Sequence, residues 1–269
     1  MDNSRQIIKQ FYDQDPQFEW DRLTRNPFEF RITSHFMERY IKPEDSILDI
    51  GGGPGRYALH FLQRGNRVTL ADLSGANVDY AKAEAERQGL PLQALACDAL
   101  QIREHVPGLF DHVFLMGPLY HLMAEEERAS AVEAALAMLK PDGILYASFL
   151  QLFSGIIFMR RERAEIILDP GEEEWLQAVR SEISWGGDAF TRAFFFDQDE
   201  ILPFMQQFPV EILHFFGQEG ITAANREYLL SQSEQVQTAW LDFSIATCEI
   251  QKYLSQSEHA MVIARKTVV

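Results

Sequence analysis

Three acids stand at regular intervals in the first half of the chain, each at the end of a short apolar run. Asp49 lies in Ser46–Ile50, Asp72 follows Arg67–Ala71, and Asp98 follows Leu92–Ala96. The first run leads into Gly51-Gly52-Gly53-Pro54-Gly55. Glycines after a strand let the backbone approach a ligand, and the next helix offers unpaired N–H groups. This is the loop of a nucleotide-type cofactor, in one of two registers. Gly53-Pro54-Gly55-Arg56-Tyr57-Ala58 satisfies the dinucleotide pattern G-x-G-x-x-G/A. Asp49-x-Gly51-x-Gly53-x-Gly55 instead sets an acid before the first glycine. A dinucleotide needs its first glycine directly past the strand, where Gly51 stands, and Asp49 would oppose a pyrophosphate. Asp49 suits a cofactor that carries an ammonium group. Asp72 can accept both hydroxyls of a ribose, as NAD proteins also arrange, and Asp98 can accept an adenine amine. Turn or capping chemistry is the competing reading of Asp72 and Asp98.

These residues need a parallel sheet to bring them together. From residue 46 to 150 short apolar runs alternate with helical patterns, the mark of βαβ units. Strands are expected at Ser46–Ile50, Arg67–Ala71, Leu92–Ala96, His112–Met116 and Ile144–Phe149. Tyr57, Ala58, Phe61 and Leu62 share a helix face, with Gly65 as its C-terminal stop. Ser74 caps the next helix, which ends at Gly89. Glu125, Glu126 and Glu127 crowd the start of another, where acids suit the helix dipole, and Pro141-Asp142-Gly143 is expected to end it. The division predicted is a helical N-terminal lid over 1–45, a cofactor-binding core over 46–150, a substrate cap over 151–190, and a C-terminal part of the sheet over 191–269. Within the last part, Thr191–Phe196, Val210–Phe216 and Ala260–Ala264 read as strands and 220–257 as a helical insertion. Asp197 caps a helix ending near Phe208.

With those motifs in place, the chain resembles the class I S-adenosylmethionine-dependent methyltransferases, in their small-molecule type. The resemblance covers residues 46 to 150, with Leu48-Asp49-Ile50-Gly51-Gly52-Gly53-Pro54-Gly55 its most specific motif. Phe110-Asp111-His112-Val113-Phe114 resembles the family's fourth strand, and Leu139-Lys140-Pro141-Asp142-Gly143-Ile144-Leu145 the turn into its fifth. It implies a Rossmann-like, doubly wound seven-stranded α/β sheet whose last strand inserts antiparallel. It also implies that Asp49, Gly51 and Gly53, with Gly52, hold the methionine part of the cofactor. Asp72 with Leu73 would hold ribose, Asp98 with Ala99 adenine, and Met116 and Gly117 would line the methionine end. At Met116-Gly117-Pro118-Leu119-Tyr120-His121, nucleobase and amide N-methylating relatives often carry Asn or Asp where Gly117 stands. Gly117 has no side chain to bind an amine, which disfavours those acceptors.

For a hydroxyl acceptor a general base helps, and His121, which titrates near neutrality, is the expected one. Tyr120 stacks on the acceptor, and Tyr12 and Gly117 are expected to touch it; packing or capping is the competing reading of Tyr120 and His121. His60, His112, His214 and His259 read as structural, without metal-ligand spacing. The net charge of -16 and a pI near 4.8 give nucleic acid and anionic lipid no general attraction. Two cysteines, Cys97 and Cys248, make neither a metal site nor a disulfide framework. The uncharged stretch Ile144–Met159 is too short to span a bilayer and reads as a buried strand entering a helix. Met1-Asp2-Asn3-Ser4-Arg5 does not read as a signal peptide. The expectation is a cytoplasmic, metal-independent methyltransferase, monomer or homodimer, acting on O or N of a small molecule. An NAD-linked oxidoreductase and a non-catalytic S-adenosylmethionine-binding protein are its rivals.

Overall fold

The structure is a computed structural model and describes residues 3–267. Three helices come first: α1 (Ser4–Gln14), α2 (Pro16–Thr24) and α3 (Pro27–Met37). The Asp15 and Asn26 side chains cap α2 and α3, each of which starts at a proline. That position suits proline because its missing N–H would have no helical partner there. β1 (Ser46–Ile50) then enters the core. Its Ile47 packs on one side of the sheet and Leu48 and Ile50 on the other. A strand with helices on both faces must be apolar on both, which is why no polar–apolar alternation shows in the sequence.

The chain continues through α4 (Arg56–Gln63), β2 (Arg67–Asp72), α5 (Gly75–Arg87), β3 (Gln93–Ala96), α6 (Ile102–His105), β4 (Phe110–Leu115), α7 (Glu125–Ala137) and β5 (Leu139–Leu150). Ser74 caps α5 by accepting from the Asn77 N–H, and Gly65 and Gly89, both at positive φ, follow the ends of α4 and α5. Pro141-Asp142-Gly143 does not end a helix. α7 stops at Ala137, and the tripeptide lies within β5, where Asp142 takes φ +60° and the register against β4 shifts. The strand signal outweighs the turn residues because an irregularity absorbs them without ending the pairing.

Beyond the core come α8 (Ser154–Glu162), α9 (Glu173–Ser181), β6 (Trp185–Asp188), β7 (Arg192–Phe195), α10 (Gln198–Met205), β8 (Val210–Gly217), α11 (Arg226–Leu230), α12 (Glu234–Thr247) and β9 (His259–Lys266). The strand read at Thr191–Phe196 is β7, which pairs with β6 in a separate two-stranded sheet, while Phe196 just past its end bridges to Gln151. Leu150, Leu152, Met159, Trp175, Leu176, Ala193 and Phe195 form a small core there. The main sheet has the order β3-β2-β1-β4-β5-β9-β8, with β9 antiparallel to both neighbours. Helices line both faces of this seven-stranded α/β sheet, as the sequence implied. Chain order reverses between β1 and β4, and ligands bind at the carboxyl ends of strands flanking such a switch point. Among the described residues, no helix is long and apolar enough to cross a membrane.

Candidate active site

The glycine loop meets the start of the β4–α7 segment across the switch point. Gly51 sits at φ +76°, and a β-carbon on it would lie 2.6 Å from Pro118 Cδ. On the other side, a β-carbon on Gly117 would come within 3.1 Å of the Gly51 carbonyl oxygen. Gly51 is therefore required by its positive φ and the Pro118 ring against it, and Gly117 leaves a β-carbon little room beside the Gly51 carbonyl. Asp49 lies beneath this contact at 2% exposure. Among the described residues nothing donates a hydrogen bond to its carboxylate. Burial, with the nearby charge of Asp72, pushes its pKa up to about 7. A buried carboxylate without a donor or cation is costly, so the Asp49 carboxylate is left able to receive a positively charged group. The ammonium of S-adenosylmethionine is such a group.

The other two acids are already engaged. Asp72 accepts from the Gly53 and Ser74 N–H groups, each at 2.8 Å, which fixes the loop beside it. A carboxylate has room for about four donors, so ribose hydroxyls can be added. Asp98 accepts from the Leu100 N–H and pairs with Arg5 of α1 at 3.2 Å, and Arg5 also reaches Glu127. Asp72, Leu73, Asp98 and Ala99 line one cavity of about 110 Å³, together with Gly51, Gly53, Gly117 and Tyr120. Arg5, Ile8, Tyr12 and Glu19 cover it from the N-terminal helices. Tyr12 and Gly117, expected at the acceptor, line this cavity.

His121 lines it too, with both ring nitrogens in use. Nδ1 lies 3.1 Å from the Arg192 carbonyl oxygen and Nε2 2.8 Å from the Tyr12 hydroxyl. A carbonyl can only accept, so Nδ1 carries the proton and Nε2 accepts from Tyr12. Burial lowers the His121 pKa to about 4. The lone pair that a base would use is thus tied to α1.

A second, larger cavity of about 720 Å³ adjoins the first, and Glu19, Gly51, Gly53 and Tyr120 line both. Asp49, Gly52 and Met116 face this second space, along with Arg22, Glu29, Tyr57, Phe158, Glu219 and His259. Tyr120 donates to the Met116 carbonyl at 3.1 Å, which holds its ring at the junction. Glu219, 2% exposed, was not read from the sequence and His259 was read as structural. Antiparallel pairing of β8 and β9 places them side by side, His259 Nδ1 being 2.7 Å from Glu219 Oε1. They are 40 positions apart, Glu219 just past the end of β8 and His259 at the start of β9, so spacing carries no signal of the contact.

The geometry is that of two cavities that meet at Glu19, Gly51, Gly53 and Tyr120. Residues 47–143 match the family described as "Methyltransferase domain". The matched part of the core is a methyltransferase domain. The chain is 32% identical over 107 residues to the tRNA 5-carboxymethoxyuridine methyltransferase of Escherichia coli (strain K12), covering 38% of this chain and 39% of that protein. It is 29% identical over 140 residues to the ubiquinone biosynthesis O-methyltransferase of Caulobacter vibrioides, covering 51% and 54%. The chain thus spans about two-fifths to one-half of these relatives' lengths. The methyltransferase fold also matches the crystal structure of the Burkholderia thailandensis 1,6-didemethyltoxoflavin-N1-methyltransferase with bound 1,6-didemethyltoxoflavin and S-adenosylhomocysteine. The TM-score is 0.60 and the identity 16%, over 97% of this chain and 88% of that one.

Proposed function

We propose that this chain transfers a methyl group from S-adenosylmethionine to an oxygen or nitrogen of a small molecule held in the second cavity, beyond the stretch lined by Asp49, Gly52 and Met116, which takes the methionine end of the cofactor. The observation that carries the reading is the junction of two cavities at Gly51, Gly53, Glu19 and Tyr120, above the donorless Asp49. When bound, S-adenosylmethionine supplies an activated methyl on a sulfonium, so the chain has chiefly to align the acceptor. Alignment of this kind can supply roughly 7–11 kcal/mol of the barrier. In this account Asp49 holds the ammonium, and Asp72 and Asp98 hold ribose and adenine. Met116 and Tyr120 border the line of transfer, and His121 fastens α1 over the site. The net charge of -16 weighs against a nucleic-acid acceptor like that of the Escherichia coli relative, since it offers a phosphate backbone no general attraction.

In this reading α1 and α2 act as the lid, because the Arg5–Asp98 pair closes the adenine end. Calorimetric titration tests both parts. S-adenosylhomocysteine is expected to bind and NAD not to, and a chain lacking residues 1–25 is expected to bind S-adenosylhomocysteine more weakly. Binding of NAD alone contradicts the function, and an unchanged dissociation constant for the shortened chain contradicts the lid.

A further inference from the structure

We propose that His259, oriented by Glu219, is the general base of the transfer and that the acceptor atom is a hydroxyl oxygen; this rests on the function proposed above. The Glu219 carboxylate is fixed by the Ser257 hydroxyl, by the His259 N–H at 2.9 Å, and by His259 Nδ1 at 2.7 Å. A carboxylate only accepts here, so Nδ1 carries the hydrogen and the basic lone pair lies on Nε2. No other described residue forms a hydrogen bond to this ring, and the ring lines the second cavity. Its centre is 5.9 Å from that of Tyr120, which borders both cavities. A carboxylate-oriented imidazole facing an open space is the arrangement by which a serine hydroxyl is deprotonated in hydrolases. His121 is built the opposite way, with its basic nitrogen already bonded to Tyr12.

The step balances without a further reactant. The acceptor oxygen forms a bond to the methyl carbon as the sulfur–methyl bond breaks. The sulfonium becomes a neutral thioether, and the hydroxyl proton passes to His259 Nε2. The imidazolium that results is stabilised by Glu219, then loses its proton to solvent. Among the described residues, the charged and titratable groups that act on or touch the ring include Glu219 beyond β8, Glu258 before β9, Glu29 on α3, and Tyr120 beyond β4. Arg161 of α8 neutralises Glu258. The acids, Glu219 foremost, act to raise the His259 pKa against the opposing effect of burial. The dyad thus becomes a competent base only as pH rises through that elevated value.

The test uses S-adenosylmethionine labelled in its methyl group, with a small-metabolite extract as the acceptor mixture. For the full chain the rate of label transfer is expected to rise with pH to a plateau. His259→Gln should lower the plateau by about 10²–10⁴-fold, the usual contribution of a general base, with affinity for S-adenosylhomocysteine unchanged. Glu219→Gln should move the midpoint to lower pH, because removing the carboxylate removes what raises the histidine pKa. Ring ¹⁵N resonances of His259 in the unaltered chain should titrate at the kinetic midpoint, which keeps the proposal testable if a variant does not fold. Wild-type transfer by folded His259→Gln, equal loss of S-adenosylhomocysteine binding, or a mismatched ring titration would each overturn it. If the unaltered chain transfers no label, the proposed function fails first and the dyad with it.

Discussion

Asp49→Asn is expected to weaken S-adenosylhomocysteine binding by roughly 10–100-fold, since a charge-assisted hydrogen bond contributes about 1.5–3 kcal/mol. The same change should leave the unliganded protein as stable or make it more stable near pH 8. The two effects have opposite signs because Asp49 has no donor of its own before the cofactor arrives. Its folded pKa of about 7 lies above the unfolded value near 3.8. Between those values the folded state holds a proton that the unfolded state has lost, so stability falls as pH rises through the window. Asparagine removes that dependence. An ammonium brought against Asp49 pulls its pKa back down, so binding at about pH 6 should release close to one proton, and at pH 8 almost none. Calorimetry in buffers of different ionisation enthalpy measures the number directly. Buffer-independent heats at pH 6, or unchanged affinity in Asp49→Asn, would remove this carboxylate from the ammonium site.

Gly51→Ala is the second large effect, and it acts through shape. At φ +76° an alanine costs about 1–2 kcal/mol in backbone strain alone. Its β-carbon would also sit 2.6 Å from Pro118 Cδ and 2.9 Å from Cγ. Pro118 has little room to yield, because the preceding Gly117 already lies against the Gly51 carbonyl. The two loops must part at the point where the cavities meet, so affinity for S-adenosylhomocysteine should fall at least about tenfold, beyond what 1.4 kcal/mol represents. Gly75→Ala is the control. No atom lies within 4 Å of its β-carbon and its backbone is not in the left-handed region, so binding and melting temperature should stay near wild type. Similar losses in the two variants would show that the loop contact has no special role.

The core was legible in the sequence because its signals are local. An apolar run, a glycine turn and an amphipathic helix each announce themselves within about fifteen residues, and β1 through β4 follow from them within a residue or two. Asp49, Asp72 and Asp98 were visible for the same reason, each standing at the end of its own strand. The long reach of β5 was not, since Pro141-Asp142-Gly143 has the composition of a turn and the pairing that overrides it is made with β4 and β9. Side-chain partners made over long separations were hidden as well. Arg5 meets Asp98, Tyr12 meets His121, and Glu219 meets His259. His121 stands out in the sequence through its neighbours in Tyr120-His121, yet a bond from α1 occupies its basic nitrogen. His259 sits without a motif at the start of the final strand, and only the placement of β9 beside β8 gives it a carboxylate.

The central claim is that two adjoining cavities pass a methyl group from one to the other. Incubating the full chain with methyl-labelled S-adenosylmethionine and a small-metabolite extract tests it most directly, with products resolved by mass. The account predicts S-adenosylhomocysteine and, in equal amount, a labelled small molecule one methyl heavier than its precursor, formed roughly 10–100-fold more slowly by Asp49→Asn at cofactor levels well below its weakened affinity. Tight binding of the cofactor with no labelled product would contradict it and would leave a protein that binds S-adenosylmethionine without turning it over.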